Sequence, residues 1–182
     1  MYVPPTNERD VMQKLSVARW SVVLGFSALM AGCAGAEWQQ VTVAPNYQAP
    51  KQLKVALVSA SGAQNSEGAM QALQAAMADT LSSKGINATF VPAPSGPPDG
   101  SMSVAEWNQG SRALRWLIGF GAGEGTIVVS EKSPSADGQP GVDGTARGWV
   151  RGGFFGGSSY DAAKEAGVLI AKAIITGKAK AK

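Results

Sequence analysis

The residues able to do chemistry are few in this chain, and their types exclude more than they permit. There is no histidine among the 182 residues, which removes the commonest general base and the commonest transition-metal ligand. A serine triad of the usual kind cannot be built without one. Cys33 is the one cysteine, so an intramolecular disulfide is impossible. Carboxylates remain: Asp161, Glu165 and Glu124, with a lysine, are the candidates for acid–base hydrolysis. Asp161 and Glu165 stand four residues apart on a helical pattern, away from its apolar stripe, which suits a solvated face and helix-dipole partners better than catalysis. No cofactor, metal site or catalytic residue is expected.

Glycine supplies the other pattern. In IGFGAGEGTIVV, residues 118–129, Gly119, Gly121, Gly123 and Gly125 fall at every second position. A phosphate loop requires Gly-Lys-Ser/Thr after its four-residue spacer, because the lysine reaches the phosphates. Here Glu124-Gly125-Thr126 sets an acid where that lysine belongs. A dinucleotide fingerprint must open a helix whose N-terminus meets the pyrophosphate, whereas this segment runs into the strand-like Thr126-Ile127-Val128-Val129. The stripe is therefore read as structural. On an extended chain the four glycines share one face, and a bare face admits a helix, the Trp149 and Phe154/Phe155 region, or a sharp bend.

The strongest signal lies before these residues. Lys14 and Arg19 precede an uncharged, mostly apolar run, WSVVLGFSALM, residues 20–30, too short to span a bilayer as a mature helix. The run ends in Leu29-Met30-Ala31-Gly32-Cys33, which resembles the lipobox of bacterial lipoproteins. That resemblance implies a signal peptide over 1–32, cleavage by signal peptidase II before Cys33, and acylation of its thiol and new amine. Several acyl chains on one residue satisfy the need for more than one chain in stable anchoring. Glu8 and Asp10 sit awkwardly ahead of a positively charged start, so Met12 is the expected initiation site. Ala34, rather than an aspartate, follows the cysteine, which by the same resemblance favours the outer membrane, with the domain facing the periplasm.

The elements that must position all of this are short. Residues 33–52 read as the lipidated cysteine and a flexible tether, 53–177 as one α/β domain and 178–182 as a frayed basic tail. Within the domain, KVALVS (54–59) is a first strand, and Met70, Leu73, Met77 and Leu81 align on one face of a helix over 66–84, with Ser66 as cap and Gly85 as stop. INATFV (86–91) is a second strand, parallel to the first by the handedness of the crossover. Residues 92–103 are a loop by composition. Leu114, Trp116, Ile118 and Phe120 alternate as an extended chain, Ile127 and Val129 continue the β pattern, 133–144 is a turn-rich connection and 145–155 is the antiparallel return strand. A closing helix over 158–176 carries the stripe Ala162, Ala166, Leu169, Ile170, Ala173 and Ile174, with Ser158 and Asp161 as capping pair and Gly177 as stop. The expected architecture is a mixed sheet of four to five strands with two main helices packed on it. The net charge of +3 comes from scattered Lys and Arg, so no nucleic-acid surface is expected.

RWLIGFGAGEGTIVV (115–129), followed by GGFFGGSS (152–159) and an Ala-rich helix, resembles the bacterial lipoprotein family catalogued as the domain of unknown function numbered 4410. The likeness covers roughly 55–175 and implies a compact α/β domain with no catalytic residues to transfer. The functional expectation is a membrane-anchored, non-enzymatic binding or assembly module of the periplasm. Trp107, Phe154 and Phe155 are its candidate contacts to a periplasmic or outer-membrane protein, or to a second copy of the chain. Carriage of a small apolar ligand in a glycine-lined gap is the alternative, and hydrolysis comes third.

Overall fold

In the computed structural model, which describes residues 34–59, 63, 65–93, 99–111, 114, 123–151 and 157–181, Ala34–Val43 is strand β1. It pairs antiparallel with strand β6, Pro140–Val150, from Ala34 opposite Val150 to Val43 opposite Val142. The expectation of a flexible tether is corrected over this stretch. Trp38 is buried in the core, and Ala34, Ala36, Val41 and Val43 pack against it. A bulge between Trp38 and Gln40 breaks the alternation of apolar residues, so the strand's period-two signature is lost in the sequence.

The remaining elements are β2 (Gln52–Ser59), α1 (Glu67–Ser82), β3 (Asn87–Pro92), β4 (Gly100–Asn108), β5 (Gly125–Pro134) and α2 (Ser159–Thr176). They form one six-stranded sheet in the order β1-β6-β5-β4-β2-β3, slightly larger than expected. The β2-α1-β3 unit is parallel, as its crossover requires. β4 also runs parallel to β2, and β4, β5, β6 and β1 continue antiparallel. β4 occupies ground expected to be loop. Its buried Gly100, Met102 and Val104 alternate with less buried Ser101 and Ser103, a strand pattern concealed by small polar residues on one face. The connection between β5 and β6 is correspondingly shorter than 133–144.

Both helices lie on one face of the sheet. Leu73, Met77 and Leu81 of α1 and Ala162, Ala166, Ile170 and Ile174 of α2 are fully buried. Met70 and Leu169, expected on those stripes, are only partly covered and pack at the core margin. Close approach explains the small residues. A Cβ on Gly167 would stand 2.5 Å from the Leu73 carbonyl oxygen, and one on Gly148 of β6 would collide with the Ala162 carbonyl. α2 begins with a capping box between Ser158 and Asp161 and ends at Gly177 in the left-handed region, φ 60°, as its sequence predicts. The basic tail is tied down rather than frayed: Ala179 and Ala181 pack against the core, and Ala181 bridges to Trp38.

Candidate functional site

The face of the sheet away from the helices is polar by register. Along β6 it presents Asp143, Thr145, Arg147 and Trp149, opposite Lys132, Ser130, Val128 and Thr126 of β5. β4 adds Ser101 and Ser103. Among these, Lys132 and Asp143 form an exposed cross-strand ion pair at 3.3 Å, worth a fraction of a kcal/mol in solvent, about 0.2–1.

One end of this face is more organised. Glu124, just before β5, accepts from Arg147 Nη2 at 3.1 Å and lies 3.6 Å from Arg151 Nε. The Arg151 guanidinium stands 5.8 Å from the centroid of the Trp149 ring, within cation–π range. The Trp149 ring lies against β1: a Cβ on Gly35 would sit 2.8 Å from its Cζ2. Trp149 is therefore half-buried, seated on a glycine and within reach of the Arg151 cation. The N-terminus of α2 belongs to the same end, since Ser159 Oγ donates to the Gln109 carbonyl just past β4 at 2.6 Å.

On the helix-covered face lies an isolated carboxyl. Glu131 on β5 is wholly buried, placed by register between Met102 and Gly144. Neither of its oxygens nor Ser133 Oγ finds a hydrogen-bond partner among the described residues. Burial drives its pKa from 4.5 up to about 8, the Ser133 hydroxyl acting in the opposite sense and Asp143 adding a smaller rise, so the carboxyl is protonated at neutral pH. Tyr47 closes the site from the β1–β2 connection, its own pKa pushed up to about 12 by burial and by Glu131. The acid is sealed inside the fold, out of reach of a substrate.

Two of the surface grooves among the described residues bear on the sheet. One, of about 560 Å³, lies where β2 and β3 end and α1 begins, and Leu57, Val58, Met70, Pro92 and Val104 give it apolar walls. The other, of about 400 Å³, is more polar and lies at the β5–β6 turn between Asp99, Lys132, Ser133 and Asp143.

Comparison with known proteins sets this geometry in a family. The model of the domain of unknown function DUF4410 matches residues 23–137. The chain belongs to the DUF4410 family. No curated protein matches it. Among solved structures, the PelC dodecamer from Paraburkholderia phytofirmans is 22% identical over 81% of this chain and 99% of its own, with a TM-score of 0.45. A single-residue variant of that dodecamer is 21% identical over 76% and 96%, again with a TM-score of 0.45.

Within this DUF4410 domain the candidate residues are dispersed. Trp107 is half-buried rather than held out: it packs against the core and stacks on Tyr160 with centroids 6.0 Å apart and planes 13° from parallel. Glu124 is engaged by two arginines, and Asp161 by the cap and by Lys164 at 3.1 Å. Glu165 is exposed on the solvent side of α2. Gly123 has φ 75° in a turn and Gly125 opens β5, so these two do not share the face of one extended strand. Leu114 is helical rather than extended. Cys33 with Leu29, Met30, Ala31 and Gly32, Gly119 and Gly121, and Phe154 and Phe155 lie outside the described residues. The organised Glu124–Arg147–Trp149–Arg151 group was missed by reasoning from sequence. Its one signal is the alternation of Arg147, Trp149 and Arg151, which puts all three on one face of a strand.

Proposed function

We propose that this DUF4410 domain is a non-enzymatic binding and assembly module of the bacterial envelope, lipid-anchored at Cys33 in the outer membrane and facing the periplasm. The observation that carries the binding role is the sheet face turned away from both helices, where Ser103, Ser130 and Thr145 stand in a row across β4, β5 and β6 and Ser101 lies in the next row. An open antiparallel face of hydroxyls and a few paired charges suits a protein partner that supplies hydrogen bonds. The signal-like start, with its lipobox ending, supports the location.

The partner is a periplasmic or outer-membrane protein or a second copy of the chain. The test is Ser130→Arg, combined with Ser103→Arg, in a tagged full-length chain extracted from envelopes in mild detergent. Loss of a higher-mass complex on native gels, with the circular dichroism spectrum unchanged, supports the reading. A complex indifferent to both substitutions overturns the assignment of this face.

Carriage of a small apolar ligand is a second reading, favoured by the 560 Å³ groove at Leu57, Val58 and Met70. Displacement of an environment-sensitive dye that is abolished by Met70→Arg would support it.

A further inference from the structure

The position of β1 sets which end of the domain meets lipid. Ala34 is already in the sheet, opposite Val150, and Gly35 lies opposite Trp149. Gly35 follows Cys33 by two residues, so its Cα is at most ~7 Å away along the chain, and one strand spacing of about 5 Å leads on to Trp149. A diacylglyceryl cysteine sits in the headgroup layer, and the polar regions of a bilayer add only about 10–15 Å to its hydrocarbon core. The Trp149 end of the sheet therefore has no room to stand clear of the membrane.

The chemistry at that end fits the location. The Trp149 ring packs against Gly35 near the end of β6, and it is an amphipathic ring of the type that settles at headgroup level. Arg151 is 56% exposed beside it, with its Nε 3.6 Å from Glu124. Its exposed guanidinium fork suits recognition of a phosphate oxygen.

We propose that Trp149 and Arg151 form a lipid-docking surface, which seats the domain directly on the phospholipid headgroups beside its anchor, with Arg151 on phosphate and Trp149 at the interface. This rests on the lipid-anchor reading of Cys33. The polar face then rises from the bilayer, β5 running away from it and β6 returning, and the β5–β6 turn, at Ser135–Gln139, is the membrane-distal tip.

The test uses mature protein purified from membranes, reconstituted in vesicles of phosphatidylethanolamine and phosphatidylglycerol whose acyl chains carry bromine near the headgroup. Tryptophan emission is read for wild type, Trp149→Phe, Arg151→Glu and Arg151→Lys, with the mass of the N-terminal peptide measured on the same samples. The surface predicts quenching of wild-type emission, disappearance of most of that quenching in Trp149→Phe, reduction by about half in Arg151→Glu, and retention in Arg151→Lys. An acylated Cys33 peptide together with equal quenching in wild type and Trp149→Phe overturns the docking surface and leaves the anchor standing. A Cys33 peptide without acyl chains overturns the anchor and the docking together. Should Trp149→Phe fail to fold, the two Arg151 variants decide by themselves, and equal quenching in both overturns the proposal.

Discussion

The Tyr47 hydroxyl donates a 2.6 Å hydrogen bond to the carbonyl of Ile174, tying the β1–β2 connection across the last turn of α2. The last carbonyls of a helix have no intrahelical donor, so this bond satisfies a group otherwise left to solvent. The ring is seated by two glycines: a Cβ would come within 2.7 Å of it at Gly141 and 2.6 Å at Gly177. Tyr47→Phe is expected to cost about 1 kcal/mol in urea denaturation, the net worth of one such bond. Tyr47→Ala, which also empties the seat, is expected to cost about 3 kcal/mol. No loss in Tyr47→Phe would show that the bond adds nothing to the packing, and equal losses in the two variants that the ring adds nothing to the bond.

Glu131 beneath it sets a pH dependence. Its pKa is about 8 in the fold against 4.5 in the ordinary state, so between those values folding requires the carboxyl to take up a proton that the unfolded chain has released. Stability is fully present below about pH 4.5 and falls as pH rises toward 8, by up to ~1.4 kcal/mol per unit, a loss on the order of 3 kcal/mol by pH 7. Glu131→Gln is expected to flatten this slope in denaturation series across that window. A wild-type slope as flat as the variant's would show that the carboxyl is solvated or paired.

The seat of α2 depends on backbone contact. Gly148→Ala is expected to push the helix from β6 and lower stability by about 1–3 kcal/mol, the usual range for overpacking. Gly167→Ala should open the α1–α2 contact by the same mechanism, and the pair should be less than additive if a single shift of α2 relieves both. Thermal denaturation of the two single variants and the double variant measures this directly.

The capping box offers a smaller, independent check. Asp161 Oδ2 accepts from the Ser158 amide at 3.0 Å while Ser158 Oγ accepts from the amide of Tyr160. Ser158→Ala is expected to cost about 1 kcal/mol, with hydrogen exchange accelerated in the first turn of α2 and unchanged in α1.

Local rules carried much of this fold into view. The caps of α2, the parallel β2-α1-β3 unit and the β5–β6 pairing all follow from local patterns, because each rests on a cap, a period within one element or a connection between consecutive elements. β1 and β4 did not, and both contain a bulge, at Trp38/Gln40 and at Val104/Glu106. A bulge shifts the alternation by one residue midway, which is how Trp107 comes to the core side of β4 when Glu106 faces out. Gly141 and Gly144 read as turn residues. They lie within β6 because the rings of Tyr47 and Trp38 cover them, a constraint set by residues about a hundred positions away. The group around Glu124 was illegible because it joins the start of β5 and the end of β6, brought together only by the sheet.

The central claim, that the open sheet face is the binding surface, is tested most directly by site-specific photocrosslinking in intact cells. A photoreactive residue is placed at Ser130 or Thr145 on that face, and at Gln71 or Glu165 on the outer sides of the helices. The account predicts a discrete adduct, to one envelope protein or to a second copy of the chain, from Ser130 and Thr145 and not from Gln71 or Glu165. Adducts confined to the helix positions would contradict it.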